Sequence, residues 1–148
     1  MGRVSVEKNI EAFLILDIPG TKLVVGGSPQ LEQLKRKYPE VVFTGPKFGE
    51  NLAAHYTSGD VFVFPSLTDT LSLLMLEAMA SGLPVAAFPV TGPFGALGGA
   101  KAACMDENLS KTVDQALQAP ANQARRHAEN FSWNACTDQF LANLVHTS

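Results

Sequence analysis

Apolar positions along this chain recur with two different periods. Ile10, Phe13, Leu14 and Leu16 follow helical spacing after Glu7-Lys8-Asn9, and Pro19-Gly20 closes that segment before Lys22-Leu23-Val24-Val25 opens a short apolar run. The spacing predicts one helix and one strand. Gly26-Gly27-Ser28-Pro29 then leads into a helix over 30–38, with Ser28 expected at the N-cap and Pro29 at N1, and Pro39 stops it before the strand Val41-Val42-Phe43. The alternation continues with a helix over 50–56, a strand over 60–65, a helix over 71–81 and a strand over 84–88. Beyond Pro89 the pattern weakens: Ala102-Ala103-Cys104 reads as an edge strand, 109–117 as a helix, and 123–144 as helical with an interruption near Phe131-Ser132-Trp133. Gly92-Pro93-Phe94-Gly95 and Gly98-Gly99 read as an ordinary turn cluster ahead of the other reading, a flexible loop above a site.

Each strand is a continuous apolar run and not an alternating one, the mark of parallel strands covered on both faces. Strand-helix-strand connections at this spacing predict an α/β fold, a doubly wound, Rossmann-like parallel sheet with right-handed crossovers, whose ligands bind at the carboxyl ends of the strands. No repeat, low-complexity tract or long linker interrupts the 148 residues, so 1–148 is expected to form one domain.

Composition narrows the function classes. With 46% apolar and 17% charged residues the chain is not a disordered tail. Eleven Lys plus Arg against fourteen Asp plus Glu give a net charge of -3, too little positive charge for a surface that tracks nucleic-acid phosphates. No nucleic-acid partner is expected. Cys104 and Cys136 lack a Cys-x-x-Cys spacing and read as reduced thiols, and no cationic-then-apolar leader precedes the first periodic segment, which makes a cytoplasmic location the expectation. The apolar stretch 71–90 is broken by Glu77 and by Gly82-Leu83-Pro84, against a membrane-spanning helix, while peripheral membrane association stays open. His55, His127 and His146 show no ligand spacing, so no metal site is expected, and Ser66 lacks the Gly-x-Ser-x-Gly elbow of a hydrolase nucleophile.

The turns at the strand ends carry the candidate chemistry: Gly2-Arg3 with Lys8, Gly26-Gly27-Ser28, Thr44-Gly45-Pro46 and residues 66–72. Glycine lets backbone approach a ligand, and exposed amides at a helix start favour an anion, for which phosphate is the natural candidate. Arg3 and Lys8 have the charge to neutralise a diphosphate, though two such cations also occur as solvated surface groups. Asp69 stands just before a helix and Glu77 two turns inside it, on a face otherwise full of Leu and Met. A carboxylate there needs a buried donor or the two hydroxyls of a vicinal diol; the plain alternative is that Asp69 or Thr70 caps the helix and Glu77 reaches solvent.

Gly2-Arg3-Val4-Ser5-Val6-Glu7-Lys8-Asn9, the pair Asp69 and Glu77 with seven residues between them, and the run Glu77-Ala78-Met79-Ala80-Ser81-Gly82-Leu83-Pro84-Val85 together resemble the nucleotide-sugar-binding C-terminal half of the family 4 retaining glycosyltransferases, which have the GT-B fold of two facing Rossmann-like domains. The resemblance covers most of the chain. It implies that Arg3 and Lys8 hold the donor diphosphate, aided by the helix-start amides of Leu71, Ser72 and Leu73, and that the base is met by backbone around Gly45. It further implies that Glu77 binds the ribose hydroxyls and that Asp69, the catalytic candidate, faces the donor sugar, with neither cofactor nor metal. Departures are Asp69 where many relatives carry Glu, Leu71-Ser72 where Phe-Gly is frequent, and Gly26-Gly27-Ser28 where Gly-Asp-Gly is common.

In that family this half opens with a buried strand before the Gly-Arg turn and follows an N-terminal domain that supplies the acceptor site. Both are expected to be missing, so the resemblance implies a fragment that binds donor at best, with negligible turnover alone. The parent would move a sugar from a UDP-sugar or GDP-mannose to a lipid or polysaccharide hydroxyl. Two further readings stand beside it: a non-catalytic Rossmann-like interaction module, and part of a GT-B epimerase or phosphorylase.

Overall fold

The computed structural model describes the backbone of residues 2–3, 8–68, 73–132 and 134. In chain order these form β1 (Gly2–Arg3), α1 (Ile10–Leu14), β2 (Leu23–Gly27), α2 (Leu31–Lys37), β3 (Val42–Gly45), α3 (Gly49–Thr57), β4 (Phe62–Phe64), α4 (Leu73–Ala80), β5 (Val85–Ala87), α5 (Thr91–Leu97), β6 (Ala103–Met105), α6 (Leu109–Leu117) and α7 (Ala121–Glu129). All ladders are parallel, as continuous apolar strands joined through helices require. They form two three-stranded sheets, β1-β2-β3 and β4-β5-β6.

The α/β parallel architecture is therefore the expected one, in two halves. Among the described residues no ladder joins β2 to β4. A cavity of about 500 Å³ has walls from both halves, Val24 and Val25 of β2 and Phe62 and Phe64 of β4 among them. Gly2-Arg3, expected to be a turn with the first strand missing, is instead a two-residue strand beside Gly26 and Gly27.

Three apolar clusters hold the layers. Leu14, Val24, Leu34 and Val41 pack α1, β2 and α2 together. Ala86, Val113 and Ala116 join β5 to α6. The largest cluster gathers Tyr56 of α3, Phe62 and Phe64 of β4, Met75, Ala78 and Met79 of α4, Val85 and Ala87 of β5, Leu97 of α5 and Ala124 of α7. Small residues at Ala78 and Ala124, both fully buried, let α7 lie against α4, and Arg125 Nε donates to the Ala80 carbonyl at 3.2 Å where the carbonyls of α4 end.

Two local expectations are corrected. Ser28 does not cap α2: its Oγ accepts the Gln30 N–H at 3.1 Å, closing the turn before the helix, so that Gln30 takes the cap position and the helix starts at Leu31. The segment Gly92-Pro93-Phe94-Gly95 lies in α5 and is not a turn cluster. Ala96 and Leu97, both buried in the main cluster, pull that glycine-containing stretch into a helix, and Pro93 sits in the first turn, where a missing N–H costs no intrahelical bond. The helical stretch expected over 123–144 with an interruption near Phe131 begins two residues early, at Ala121, and closes at Glu129, with Phe131 and Ser132 outside any helix as expected; residues 135–144 lie outside the described residues.

The end of α4 fixes the register of β5. Leu83 N–H donates to Ala78 O and Gly82 N–H to Met79 O, both at 2.9 Å, with Gly82 at φ 89°, the paired bonds of a Schellman closure. Nothing lies within 4 Å of a Cβ placed on Gly82, so a side chain meets no clash there and only the left-handed backbone penalty. Gly82→Ala is therefore expected to lower stability by about 1–2 kcal/mol in urea denaturation without changing the fold. An unchanged midpoint would show that the turn does not need its left-handed residue.

Candidate functional site

The turn after β1 is tied to the end of β4 by a single side chain. Asn9 adopts the left-handed conformation, φ 50° and ψ 36°, which Asn tolerates better than most residues. From there its Nδ2 donates to the Pro65 carbonyl at 3.1 Å. That bond spans the two halves of the sheet at their carboxyl edge. Lys8, the residue before it, and Ser66, the residue after Pro65, both line the cavity between the halves, together with Leu74 of α4. One cation, one hydroxyl and the first turn of α4 thus share a wall.

Ser66 is fully buried, and its Oγ has no hydrogen-bond partner among the described residues. A buried hydroxyl without a partner is uncommon in native structures and marks either a local cost or a place reserved for a polar guest. Ser66 opens the strand-end turn 66–72 that the sequence marks for ligand contact, and it lacks the elbow of a hydrolase nucleophile.

Gly45 closes β3 beside Val25 at φ 73°, with open space where a side chain would stand, so backbone there is approachable from outside. Leu73 opens α4 and is 64% exposed. Of Arg3, the structure describes the backbone, in β1. Asp69, Leu71 and Ser72 lie outside the described residues, as do Cys136, His146 and Trp133.

Glu77 is not enclosed by the Leu and Met side chains of its helix. Although α4 is apolar all round its sequence, positions 73, 77 and 80 share one stripe, and that stripe faces outward: Leu73, Glu77 and Ala80 are exposed while Met75, Ala78 and Met79 are buried. The carboxylate is outside the wall of the inter-sheet cavity and has a protein partner, the hydroxyl of Tyr56, which donates to Glu77 Oε2 at 3.0 Å. Tyr56 comes from the last turn of α3, is 3% exposed, and stacks obliquely on Phe62 with ring centroids 6.0 Å apart. Burial first, then the Glu77 charge and its hydrogen bond, push the Tyr56 phenol well above the ordinary tyrosine range. The sequence carried a usable signal for this pair, since a tyrosine on the apolar face of α3 must find an acceptor for its hydroxyl.

The remaining candidates do structural work. His127 Nε2 lies 2.8 Å from the Ala96 carbonyl and His55 Nδ1 lies 2.6 Å from the Asn51 carbonyl; a carbonyl only accepts, so each nitrogen carries its proton there. Cys104 is a half-buried free thiol, raised above the usual thiol range by burial. Among the described residues no three His, Cys, Asp or Glu side chains are grouped to hold a metal, and no helix is long and apolar enough to cross a membrane.

Parallel strands with helices between them, and glycine-bearing turns gathered at the carboxyl edge, define an α/β domain of the Rossmann-like kind. Residues 3–120 match the model of the glycosyl transferases group 1, and the chain belongs to that family. It is 44% identical over 92 residues to a sulfoquinovosyl transferase of Arabidopsis thaliana, covering 59% of this chain and 18% of that protein. It is 37% identical over 95 residues to a GDP-mannose-dependent alpha-mannosyltransferase of Mycobacterium tuberculosis, covering 63% of this chain and 25% of that protein. The sucrose-phosphate synthase from Thermosynechococcus elongatus superposes with a TM-score of 0.75 at 26% identity, over 95% of this chain and 43% of that one. The chain therefore spans a quarter or less of the length of these two relatives.

Two outcomes follow from the site's geometry. With its folded value raised above the ordinary phenol value of about 10, Tyr56 stays protonated in the native state while an unfolded tyrosine ionises. The stabilisation is thus complete below about pH 10 and is lost as the pH rises above it, so alkaline unfolding followed by phenolate absorbance should shift to higher pH in Tyr56→Phe. For Ser66→Ala, removing a buried hydroxyl that bonds to nothing described is expected to leave stability unchanged or raise it by up to about 1 kcal/mol in urea melts. A loss beyond about 2 kcal/mol would mean that the hydroxyl has a partner after all.

Proposed function

We propose that this chain is the donor-binding part of a family 4 retaining glycosyltransferase. In this reading Lys8 and Arg3 neutralise the diphosphate of a UDP-sugar or GDP-mannose, aided by the amides of Leu71, Ser72 and Leu73. Backbone around Gly45 meets the base, Glu77 accepts the ribose hydroxyls, and Asp69 faces the sugar. The observation that carries it is the Asn9 to Pro65 hydrogen bond, which draws the Lys8 turn onto the carboxyl end of β4, the edge where a parallel α/β sheet takes its ligands. The GDP-mannose dependence of the mycobacterial relative supports a nucleotide-sugar donor.

The chemistry is front-face substitution at the anomeric carbon. An acceptor hydroxyl of a lipid or polysaccharide, held by another part of the parent protein, attacks on the face from which the nucleoside diphosphate departs. A new C–O bond forms, the bond to the diphosphate oxygen breaks, and the leaving diphosphate takes the bonding pair and the acceptor's proton. Cations and helix amides stabilise the charge that develops on the diphosphate, so the reading calls for no metal or other cofactor. A cytoplasmic setting with Cys104 reduced, and peripheral contact of the parent with a membrane where its acceptor is a lipid, go with it.

A second reading has one observation in its favour: Glu77 already has a protein partner in Tyr56, as it would in a non-catalytic Rossmann-like module. Calorimetric titration of UDP and GDP into the 148-residue chain separates the two. Saturable binding of one nucleotide, weakened about tenfold by Lys8→Ala and by Glu77→Ala, is the expected result. A folded chain that takes up neither nucleotide overturns the donor-site reading, and hydrolysis or transfer by the chain alone is expected to be negligible.

A further inference from the structure

We propose that Tyr56 is a positioning residue for nucleotide recognition: its buried hydroxyl holds the Glu77 carboxylate in one orientation, with the remaining acceptor sites turned to the exposed side of α4. This rests on the reading that Glu77 takes the ribose hydroxyls, and it adds the group that aims it.

A glutamate on an outward helix stripe has three freely rotating side-chain bonds, and in solution its carboxylate samples many directions. A ligand that needs the carboxylate in one of them must first collect it, and that loss of rotamer freedom weakens binding unless the protein has already made the choice. Tyr56 makes it. Its ring is fixed on the inner side by burial against Phe62, and α3 and α4 both pack into the same apolar cluster, so the hydroxyl is a rigid donor with no other partner among the described residues. An ionised carboxylate offers about four acceptor sites, and one bond to Oε2 leaves the others free for a pair of hydroxyls. The raised phenol keeps the donor proton in place across the physiological pH range.

The pair is also asymmetric in a useful way. Tyr56 is buried while Glu77 is exposed, so deleting the phenolic oxygen leaves the carboxylate free to hydrate and strands no charge in the core. Tyr56→Phe therefore separates orientation from charge: the carboxylate stays and only its direction is released.

The test compares UDP with 2′-deoxy-UDP, or GDP with 2′-deoxy-GDP if GDP is the better ligand, by calorimetry on the wild-type chain, Tyr56→Phe, Glu77→Ala and the control Tyr38→Phe. The wild type and the control should prefer the ribonucleotide by about tenfold, Glu77→Ala should lose the preference, and Tyr56→Phe should lose most of it while binding the deoxynucleotide as the wild type does. If Glu77→Ala loses the preference but Tyr56→Phe keeps it, the positioning role is overturned and the ribose reading stands. A Tyr56→Phe chain that melts at lower temperature with its preference intact overturns it in the same way, as a purely structural bond would. If Glu77→Ala keeps the preference, or no nucleotide binds at all, the reading beneath falls and this proposal falls with it.

Discussion

A parallel strand can bond only to a strand that the chain reaches by crossing back over the sheet, and that single constraint orders everything else here. Because β2 to β3, β4 to β5 and β5 to β6 are all made this way, every strand in each half ends on the same edge as its neighbours. The left-handed glycine Gly45, the Gly26-Gly27 pair and the Pro65-Ser66 step all sit just at or after such an end. No local preference of these residues could have gathered them; the direction of the ladders did. Asn9 then joins the two edges with one hydrogen bond to Pro65, at a point where its own backbone is in a conformation most side chains avoid.

Packing explains how short strands suffice. β4, β5 and β6 have three residues each, and their ladders alone would be marginal. They are covered by helices whose buried faces include alanine or methionine: Ala78 and Met79 from α4, Ala96 from α5 and Ala116 from α6 are all fully buried, and Ala124 of α7 is buried behind α4. Small side chains bring helix backbones close, and methionine fills what is left, since its unbranched chain adapts to irregular gaps. Around β1 to β3 the cluster is smaller, with four buried side chains, and the cavity between the halves begins where its coverage ends.

Much of this was legible in the sequence, for reasons that differ from place to place. Parallel strands covered on both faces announce themselves as unbroken apolar runs, so β2, β4 and β5 and the α/β class could be read directly, and 109–117 reads as the helix that α6 is, its start fixed in the structure by Asn108, which accepts the Lys111 N–H. What failed were local rules outvoted by tertiary contacts. The Gly92 to Gly95 stretch has the composition of a turn, yet buried Ala96 and Leu97 carry it into a helix. Ser28 has the chemistry of a cap and spends it one residue too early, on Gln30. The two-residue β1 could not be seen at all, because a strand so short has no period and exists only through Gly26 and Gly27 opposite it.

Glu77 meets both of its sequence readings in part, a carboxylate with a protein donor and a carboxylate that reaches solvent. Leu73-Leu74-Met75-Leu76-Glu77-Ala78-Met79-Ala80 shows no polar face, so a carboxylate in it looked enclosed. A helix of 3.6 residues per turn that packs on a sheet from one side still leaves a stripe outward, whatever residues occupy it, and Leu73, Glu77 and Ala80 are the residues that fall there. Exposure and the need for a partner therefore hold together. Tyr56 meets that need from the buried side of an adjacent helix and leaves the outward side of the carboxylate open. An acid that were wholly buried could only stabilise or strain the core; one anchored from within and exposed without has a direction, and a direction is what recognition of a diol requires.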